Sequence, residues 1–541
     1  MDGASAFPAG PVENPGRRLG STADHPTPPL IKHIASNWTR ILLQIAVMFL
    51  LTPLMVEKLG RDGYGIWSTI VAGTMILDQL ALGVPLASVR HISEALAKGD
   101  TEGANRRIAT GFGVTLGLSL LGLVLGLGLY PAFERGLLES EQWSDTPEDL
   151  IQSARIAYLI TATRVAAGLA LRFPNAVFES HRDFITSNAI AIGGIIIRTG
   201  GAAAVLLTQP TLEGIAWVFV VEAIAVFAAY RILIPRRFPG TRFGLASFDR
   251  SLVRSILAFG IFGAVLNVGS MIAYQLDGVV IARLLGPELV TDFEMGNKFF
   301  LQLLGLIYGI SAVVMPEATR LRGQGEENAL ERVFLKWSKL TLALTLPVCL
   351  YLFVLGPEFL HAWLGDDYRE DMGSVVRVLA PSFALYLPLR AVALPILLGT
   401  RRPARLAAVY LVIALTNLVL SITLVKLGHG LVGVALGTAV PQLAFGVYLL
   451  AVTCAELGTS FSGWARYVLV RSLVGFLPCA ALMLWAEQAL APTGSPELIA
   501  AGVAMLAVFG AVWLLFVYRR DQLLDLPGLL AARLGRGVSS S

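Results

Sequence analysis

Long apolar stretches follow one another along most of the chain, from Ile34 to Tyr518, with only short polar intervals between them. A helix needs about 20 predominantly apolar residues to cross a bilayer, and each stretch is about that long. Inside lipid a segment must satisfy its own backbone N–H and C=O groups, so each stretch is predicted to be helical. The pattern therefore predicts an all-α polytopic membrane protein with about 14 transmembrane helices.

The polar intervals divide the chain into fourteen predicted spans. In order they are 34–56, 64–86, 108–130, 152–173, 185–207, 213–234, 253–275, 292–315, 335–356, 373–398, 403–425, 430–452, 467–488 and 497–518. The first 33 residues are rich in Pro, Gly and Ser and lack the apolar core of a signal peptide, so a disordered tail is predicted there. A second tail, 519–541, follows the last span, and its segment Leu523–Leu534 is amphipathic.

A weak internal repeat relates the first six spans to the next six. Leu59-Gly60 precedes the second span as Leu285-Gly286 precedes the eighth, and the offset is about 220 residues. Six-helix halves of this kind are a known transporter plan, with the substrate site at their interface. We therefore predict two six-helix bundles, 34–234 and 253–452, followed by an additional helix pair at 467–518.

The charges of the connecting loops alternate in sign. Basic residues cluster in every second loop, as in Arg90, Lys98, Arg106 and Arg107, and then Arg236, Arg237, Arg242 and Arg250. Loops 131–150 and 357–372 are acidic instead. Because cytoplasmic loops are enriched in Lys and Arg, both termini are predicted to be cytoplasmic and both acidic loops to lie outside.

Composition narrows the function to one carried out in the membrane. The hydrophobic fraction is 55%, the charged fraction 15% and the mean hydropathy +0.68. The chain has no P-loop, no serine elbow and no cluster of metal ligands at metal spacing. We therefore expect no enzyme activity, no catalytic residue, no metal and no cofactor. The basic loops are thin, which favours contact with membrane lipid over nucleic acid.

Several short motifs resemble the polysaccharide transporters of the multidrug/oligosaccharidyl-lipid/polysaccharide (MOP) exporter superfamily. The run Leu59-Gly60-Arg61-Asp62-Gly63-Tyr64-Gly65-Ile66-Trp67, followed by Arg90-His91-Ile92-Ser93-Glu94-Ala95, resembles their first hairpin. Arg182-Asp183-Phe184 resembles their connection between the fourth and fifth spans. Gly430-Leu431-Val432-Gly433-Val434-Ala435 resembles their turn into the twelfth span. The resemblance covers the first twelve spans.

The resemblance implies a flippase of the bacterial plasma membrane. Such proteins move polyprenyl-pyrophosphate-linked oligosaccharides, such as O-antigen or capsule units, from the cytoplasmic to the outer face. The implied partners are the lipid-linked glycan, membrane lipid, a polysaccharide polymerase and glycosyltransferases. Many O-antigen flippases have twelve spans, so the additional pair leaves the subfamily and its glycan open.

Charged residues within the spans are the candidate functional groups, since such groups are costly in lipid and usually face a wet cavity or a partner. Cations match a pyrophosphate headgroup, so the predicted headgroup-binding residues are Arg40, Arg164, Arg198, Lys298 and Arg390, with Asn267 as a sugar contact. The predicted coupling or structural charges are Asp78, Glu222 and Asp277.

Each of these residues also has a structural interpretation. Arg40 could snorkel to the interface, and Arg164 and Arg198 could pair with Glu222 to lock helices together. Lys298 could pair with Glu294 one turn earlier, and Asp277 could be a solvated end residue.

Two other functions remain open at this point. A multidrug or metabolite antiporter of the multidrug and toxin extrusion (MATE) type would favour twelve spans and an acidic cavity. A membrane-embedded glycan polymerase or ligase would favour one large outer loop, but the longest here, 131–150, is short.

Overall fold

The computed structural model of the protein describes residues 30–81, 83–398, 403–490 and 494–518, together with residues 521 and 523. Of the predicted N-terminal tail, 1–33, only the last four residues are described, and they already belong to the first helix. The predicted surface segment Leu523–Leu534 lies outside the described residues apart from Leu523.

Helices make up nearly all of the described structure, which contains no strand. They are α1 (Leu30–Thr74), α2 (Val84–Ala97), α3 (Thr101–Gly128), α4 (Tyr130–Phe133), α5 (Glu148–Leu171), α6 (Pro174–Ser180), α7 (Phe184–Thr208), α8 (Leu212–Arg237), α9 (Arg250–Leu284), α10 (Pro287–Gly323), α11 (Glu327–Leu364), α12 (Glu370–Leu398), α13 (Pro403–Lys426), α14 (Gly430–Leu457), α15 (Phe461–Trp464), α16 (Arg471–Trp485) and α17 (Ser495–Val512). A 3₁₀ segment, Met75–Ala81, continues α1.

The predicted fold class is confirmed. Among the described residues, twelve helical stretches are long and apolar enough to cross a membrane. The first of them, Thr39–Ala97, is 59 residues long and contains the first two predicted spans. The seventh predicted span lies in α9, which has 35 residues. All fourteen spans therefore overlap helical structure in a multi-pass membrane protein.

The repeated Leu-Gly pairs mark the same kind of break in each half. Gly60 interrupts α1 with φ 72° and ψ 168°, and Gly286 separates α9 from α10 with φ 106°. Residues with a Cβ rarely adopt positive φ, so glycine allows the chain to turn back at both places. Each turn joins the first and second predicted spans of its half.

Helix α1 packs on α7, which belongs to the same predicted six-helix bundle, and on α9 and α10, which belong to the other predicted bundle; these two predicted bundles are called the halves below. The additional helix pair packs on α11 through a separate apolar cluster that includes Leu350, Cys479 and Met505. A buried ion pair between Lys339 of α11 and Asp521 ties the segment after the last helix to the same place. A central space between the halves is thus bordered by α1, α7, α9 and α10.

Candidate functional site

A cavity of about 420 Å³ lies among α1, α7, α9 and α10. Its polar lining comes from α1 (Gln44, Thr52, Tyr64, Ser68), α7 (Arg198), α9 (Gln275) and α10 (Glu294, Lys298, Gln302). Two cations face one carboxylate, so the cavity has an excess of positive charge. We call it the cationic cavity.

A second cavity of about 480 Å³ adjoins the first and shares Gln275 with it. Its polar lining consists of Asp78, Gln79, Asn267, Ser270, Tyr274, Gln275 and Tyr308. Amides, hydroxyls and aromatic rings outnumber charges here, which suits hydrogen bonding and stacking with a sugar more than binding a diphosphate. We call it the amide cavity.

Lys298 and Arg198 are the predicted headgroup residues that line the cationic cavity. Lys298 Nζ donates to Thr52 Oγ1 over 3.2 Å and to the Tyr64 hydroxyl, so it joins α10 to α1 across the two halves. Its ammonium also lies 5.0 Å from the Tyr64 ring centroid. Among the described residues, Lys298 forms no direct ion pair with Glu294, although both side chains line the cationic cavity. Lys298 is therefore held by neutral hydroxyls.

Arg164 lies outside both cavities and pairs with Glu222 over 3.3 Å, as the locking interpretation anticipated. Its guanidinium stands 5.5 Å from the Phe219 ring centroid, and the Arg198 guanidinium is also 5.5 Å from it. Phe219 thus contacts both cations, and the Arg164–Glu222 pair supports one side of it. The arrangement orients Arg198 toward the cationic cavity.

Asp78 and Asn267 both line the amide cavity. The Asp78 carboxylate is not a lone charge, because Arg172 of the neighbouring α5 end donates to it. Asn267 is exposed to the cavity. Arg40, by contrast, lies near the start of α1 and lines neither cavity. It lies near Tyr230 of α8.

Arg390 is 5% exposed and lies behind the wall of the amide cavity. Its Nη2 donates to the Tyr308 hydroxyl over 2.8 Å and reaches Ser270 Oγ at 3.4 Å. Both of these acceptors line the cavity. Of Arg40, Arg198 and Arg390, which the sequence suggested for one headgroup, the structure brings only Arg198 to the cationic cavity.

Asp277 is buried, so its interpretation as a solvated end residue is wrong. Thr438 Oγ1 donates to Asp277 Oδ2 over 2.7 Å, and Asn417 Nδ2 donates to Thr438 Oγ1 over 3.1 Å. Asp277 Oδ1, Asn417 Oδ1 and Ser421 Oγ are buried without a hydrogen bond within the described residues. Helices α9, α13 and α14 thus enclose a small group of oxygen atoms, which we call the Asp277 cluster.

A network closes the predicted outer end between the halves. Arg61 Nη2 bonds both carboxylate oxygens of Asp292, at 2.8 and 2.7 Å, and Arg61 also contacts Glu288. Thr291 donates to the Arg61 carbonyl over 2.6 Å. The Trp143 indole donates to the Ala282 carbonyl over 2.8 Å. We call these contacts the outer seal.

Sequence reasoning missed the neutral lining residues, above all Gln44, Tyr64, Gln275, Gln302 and Tyr308. The candidates were chosen mainly among charged residues within the spans. An amide within an apolar segment is also costly in lipid, so it too indicates a residue that faces a cavity or a partner. Isolated glutamines in the spans were the available signal. The partner of Asp78, Arg172, was missed although it lies at the end of the fourth predicted span, 152–173.

The chain matches a known protein family over residues 152–373, and the family is described as polysaccharide biosynthesis protein. It is 23% identical over 505 residues to the membrane protein EpsK of Bacillus subtilis, covering 91% of this chain and 96% of EpsK. It is 22% identical over 238 residues to the membrane protein MJ1068 of Methanocaldococcus jannaschii, covering 43% of this chain and 45% of that protein.

Solved structures share the fold. An inward closed structure of the lipid II flippase MurJ aligns with a TM-score of 0.64 at 16% identity, over 89% of this chain and 98% of that one. An inward-facing MATE transporter of the MOP superfamily aligns with a TM-score of 0.59 at 16% identity, and the alignment covers 79% of this chain and 98% of that one. A MOP superfamily transporter from Pyrococcus furiosus aligns with a TM-score of 0.58 at 15% identity, and the alignment covers 79% of this chain and 95% of that one. With the family match, these alignments confirm the resemblance found in the motifs.

Proposed function

We propose that this chain, a polysaccharide transporter of the MOP superfamily, moves a polyprenyl-pyrophosphate-linked oligosaccharide from the cytoplasmic to the outer leaflet of a bacterial plasma membrane. The observation that carries the proposal is the cationic cavity between the halves, where Arg198 and Lys298 face a single carboxylate, Glu294. A diphosphate is matched by such cations, since charge-assisted hydrogen bonds are the strong ones.

Each cavity binds a chemically different part of the substrate. The cationic cavity takes the diphosphate, and the amide cavity takes the first sugars through Gln79, Asn267, Ser270 and Gln275. The polyprenyl chain stays in the bilayer. An organic-cation antiporter is less well supported, because Arg198 and Lys298 would repel a cationic substrate in the cationic cavity. In the amide cavity the carboxylate of Asp78 is already paired with Arg172.

Translocation proceeds by alternating access between the two six-helix halves, with both termini cytoplasmic. The closed outer seal around Arg61 and Asp292 corresponds to a state that receives substrate from the cytoplasmic side. The diphosphate competes with Thr52 and Tyr64 for Lys298, which loosens α1 from α10 and prepares the outer seal to open. Binding and opening are thereby linked through one side chain.

Replacing Arg198 or Lys298 by methionine tests the proposal. Each change removes one charge and keeps most of the apolar volume, so export of the glycan should fall at least about tenfold while membrane insertion is unchanged. Arg90→Met is the matched control, because Arg90 lies on an exposed helix face with Glu94 as its partner. Cells would be assayed for surface glycan and for lipid-linked glycan retained inside. Normal export by the Arg198→Met, Lys298→Met double variant would refute the proposed role of the cavity.

The Asp277 cluster supports coupling of transport to a monovalent cation. One carboxylate, one amide oxygen and two hydroxyl oxygens form a donor set suited to a hard cation such as Na⁺, and a proton on Asp277 is the alternative. Asp277→Asn removes the charge with little change of shape, so export into vesicles should lose its response to an imposed ion gradient. Imposing Na⁺ and proton gradients separately identifies the ion. An unchanged response to both would contradict coupling at Asp277.

A further inference from the structure

Arg390 is a buried cation without a counterion. Its side chain forms no ion pair with a carboxylate among the described residues, and its Nε and Nη1 atoms have no hydrogen-bond partner. A buried ion is costly unless it is paired and hydrogen-bonded. The arginine is instead surrounded by tyrosines, with its guanidinium 5.5 Å from the Tyr308 ring centroid and 5.2 Å from that of Tyr410.

The tyrosine cluster is built around this cation and opens toward the amide cavity. The Tyr274 hydroxyl donates to that of Tyr386 over 3.0 Å, and Ser270 Oγ lies 3.1 Å from the Tyr410 hydroxyl. Ser270, Tyr274 and Tyr308 line the cavity, and Tyr308 is 45% exposed. Arg390 thus reaches the cavity wall through the side chains of Tyr308 and Ser270.

The Arg390 position is too far from the cationic cavity to share one diphosphate with it. Tyr308 and Lys298 lie on the same helix, α10, ten residues apart. At 1.5 Å per residue that is a rise of about 15 Å. An anion at Tyr308 and Ser270 thus occupies a different place from an anion at Lys298 and Arg198, and it is nearer the predicted cytoplasmic end of α10.

We propose that Arg390, Tyr308 and Ser270 form an entry site for the substrate diphosphate, separate from the cationic cavity and used before it. The anion replaces the Tyr308 hydroxyl as acceptor for Arg390 Nη2, and the hydroxyls of Tyr308 and Ser270 then donate to it. The diphosphate supplies the negative charge that Arg390 lacks. The proposal rests on the proposed function, because it assigns a second position to the same headgroup.

The test uses the full chain in lipid nanodiscs and a sugar-free polyprenyl diphosphate of short chain as the probe. Binding is measured by calorimetry and by the rise in melting temperature on adding the probe. Wild type should bind two diphosphates per chain. Arg390→Met should bind one, and the Arg198→Met, Lys298→Met double variant should also bind one. Arg390→Lys should keep two sites, with the entry site weakened about tenfold because the forked geometry is lost.

The melting temperature without probe separates binding from a structural role. Methionine removes an uncompensated buried charge, so the probe-free Arg390→Met protein should be as stable as wild type or more stable. A large fall in that temperature, with two diphosphates still bound, would show that Arg390 only organises the tyrosines and would overturn the proposal. Tyr308→Phe removes an acceptor of Arg390 Nη2 and one proposed donor to the anion but keeps the Arg390 charge, so both sites should stay occupied, with the entry site weakened.

The number of sites in each variant separates the entry site from the proposed function. One site in wild type, lost in the double variant and unaffected by Arg390→Met, would preserve the proposed function and refute the entry site. If neither the wild type nor any variant binds the probe, the proposed function is contradicted. If Arg390→Met changes only the binding of a probe that carries an acidic sugar, Arg390 recognises the glycan, and its assignment to the diphosphate is wrong.

Discussion

At the scale of the residue, the central observation is that cations within the spans do different things according to their partners. Arg164 has Glu222 as its ion-pair partner. Among the described residues, Lys298 donates its hydrogen bonds to two hydroxyls, which an anion can replace at little cost. Arg390 has neither a carboxylate nor a full set of acceptors. The missing or weak partner, rather than the charge itself, distinguishes the candidate binding residues.

Tyr64→Phe tests the role assigned to Lys298. The change removes one acceptor that holds Lys298 against α1, so the diphosphate has less to displace. We expect the affinity for a polyprenyl diphosphate to rise about two- to tenfold, the range that one hydrogen bond contributes. Binding to the purified protein measures it. Tyr130→Phe is the control, since the Tyr130 hydroxyl contacts Glu134 outside the cavities. Unchanged affinity in Tyr64→Phe would mean that Lys298 does not depend on Tyr64.

At the scale of the element, α1 carries a proline whose missing hydrogen bond is satisfied by the other half. Pro53 has no N–H, so the carbonyl of Phe49 four residues earlier has no intrahelical partner. The indole of Trp363, on α11, donates to that carbonyl over 2.9 Å. Phe49 and Trp363 also stack edge-on at 5.4 Å, with Phe299 beside them. The turn of α1 around Pro53 is thus hydrogen-bonded to α11.

Trp363→Phe should weaken this contact and favour opening at the outer side. The ring packing is largely kept, and the loss of one hydrogen bond predicts a two- to tenfold increase in the open population. A single cysteine at Met48, which lines the cationic cavity, would report opening through its rate of labelling from the outer side. Trp485→Phe is a suitable control, because Trp485 is 57% exposed. Equal labelling rates in the two backgrounds would remove Trp363 from the mechanism.

At the scale of the whole molecule, an ion-pair network joins the two predicted six-helix bundles at the predicted outer end. Among the described residues, Arg61 of α1 pairs with Asp292 and Glu288 of α10. Alternating access requires these contacts to break once per cycle, while contacts within a half persist. The additional pair, α16 and α17, packs on α11 away from this junction.

Cysteines at Arg61 and Glu288, joined by a short bifunctional thiol reagent, should lock the outer seal and stop export. Reduction should restore it if the linker contains a disulfide. The control joins Arg155 and Glu134, which also form an ion pair but lie within the same half, and it should be tolerated. Continued export by the locked 61–288 variant would contradict rocking of the halves and favour a headgroup that slides along a fixed groove.

The sequence by itself determined the class of molecule and the places where its helices turn. Fourteen apolar stretches predicted the spans because every membrane-crossing segment must be apolar and must satisfy its own backbone. The Leu-Gly pairs at 59–60 and 285–286 predicted related breaks, and both glycines adopt positive φ. These properties are local, so a one-dimensional pattern suffices to show them.

Only the tertiary structure decided which charges face the space between the halves. Arg164 and Arg198 look alike in sequence, yet one pairs with Glu222 and the other lines the cationic cavity. Asp277 lies near the end of its predicted span, yet its side chain is buried. Thr438 and Asn417, which form the hydrogen bonds around it, come from helices more than 130 residues later in the chain. The exposure of a side chain depends on how its helix is rotated against its neighbours, and hydropathy along the chain carries no information about that rotation.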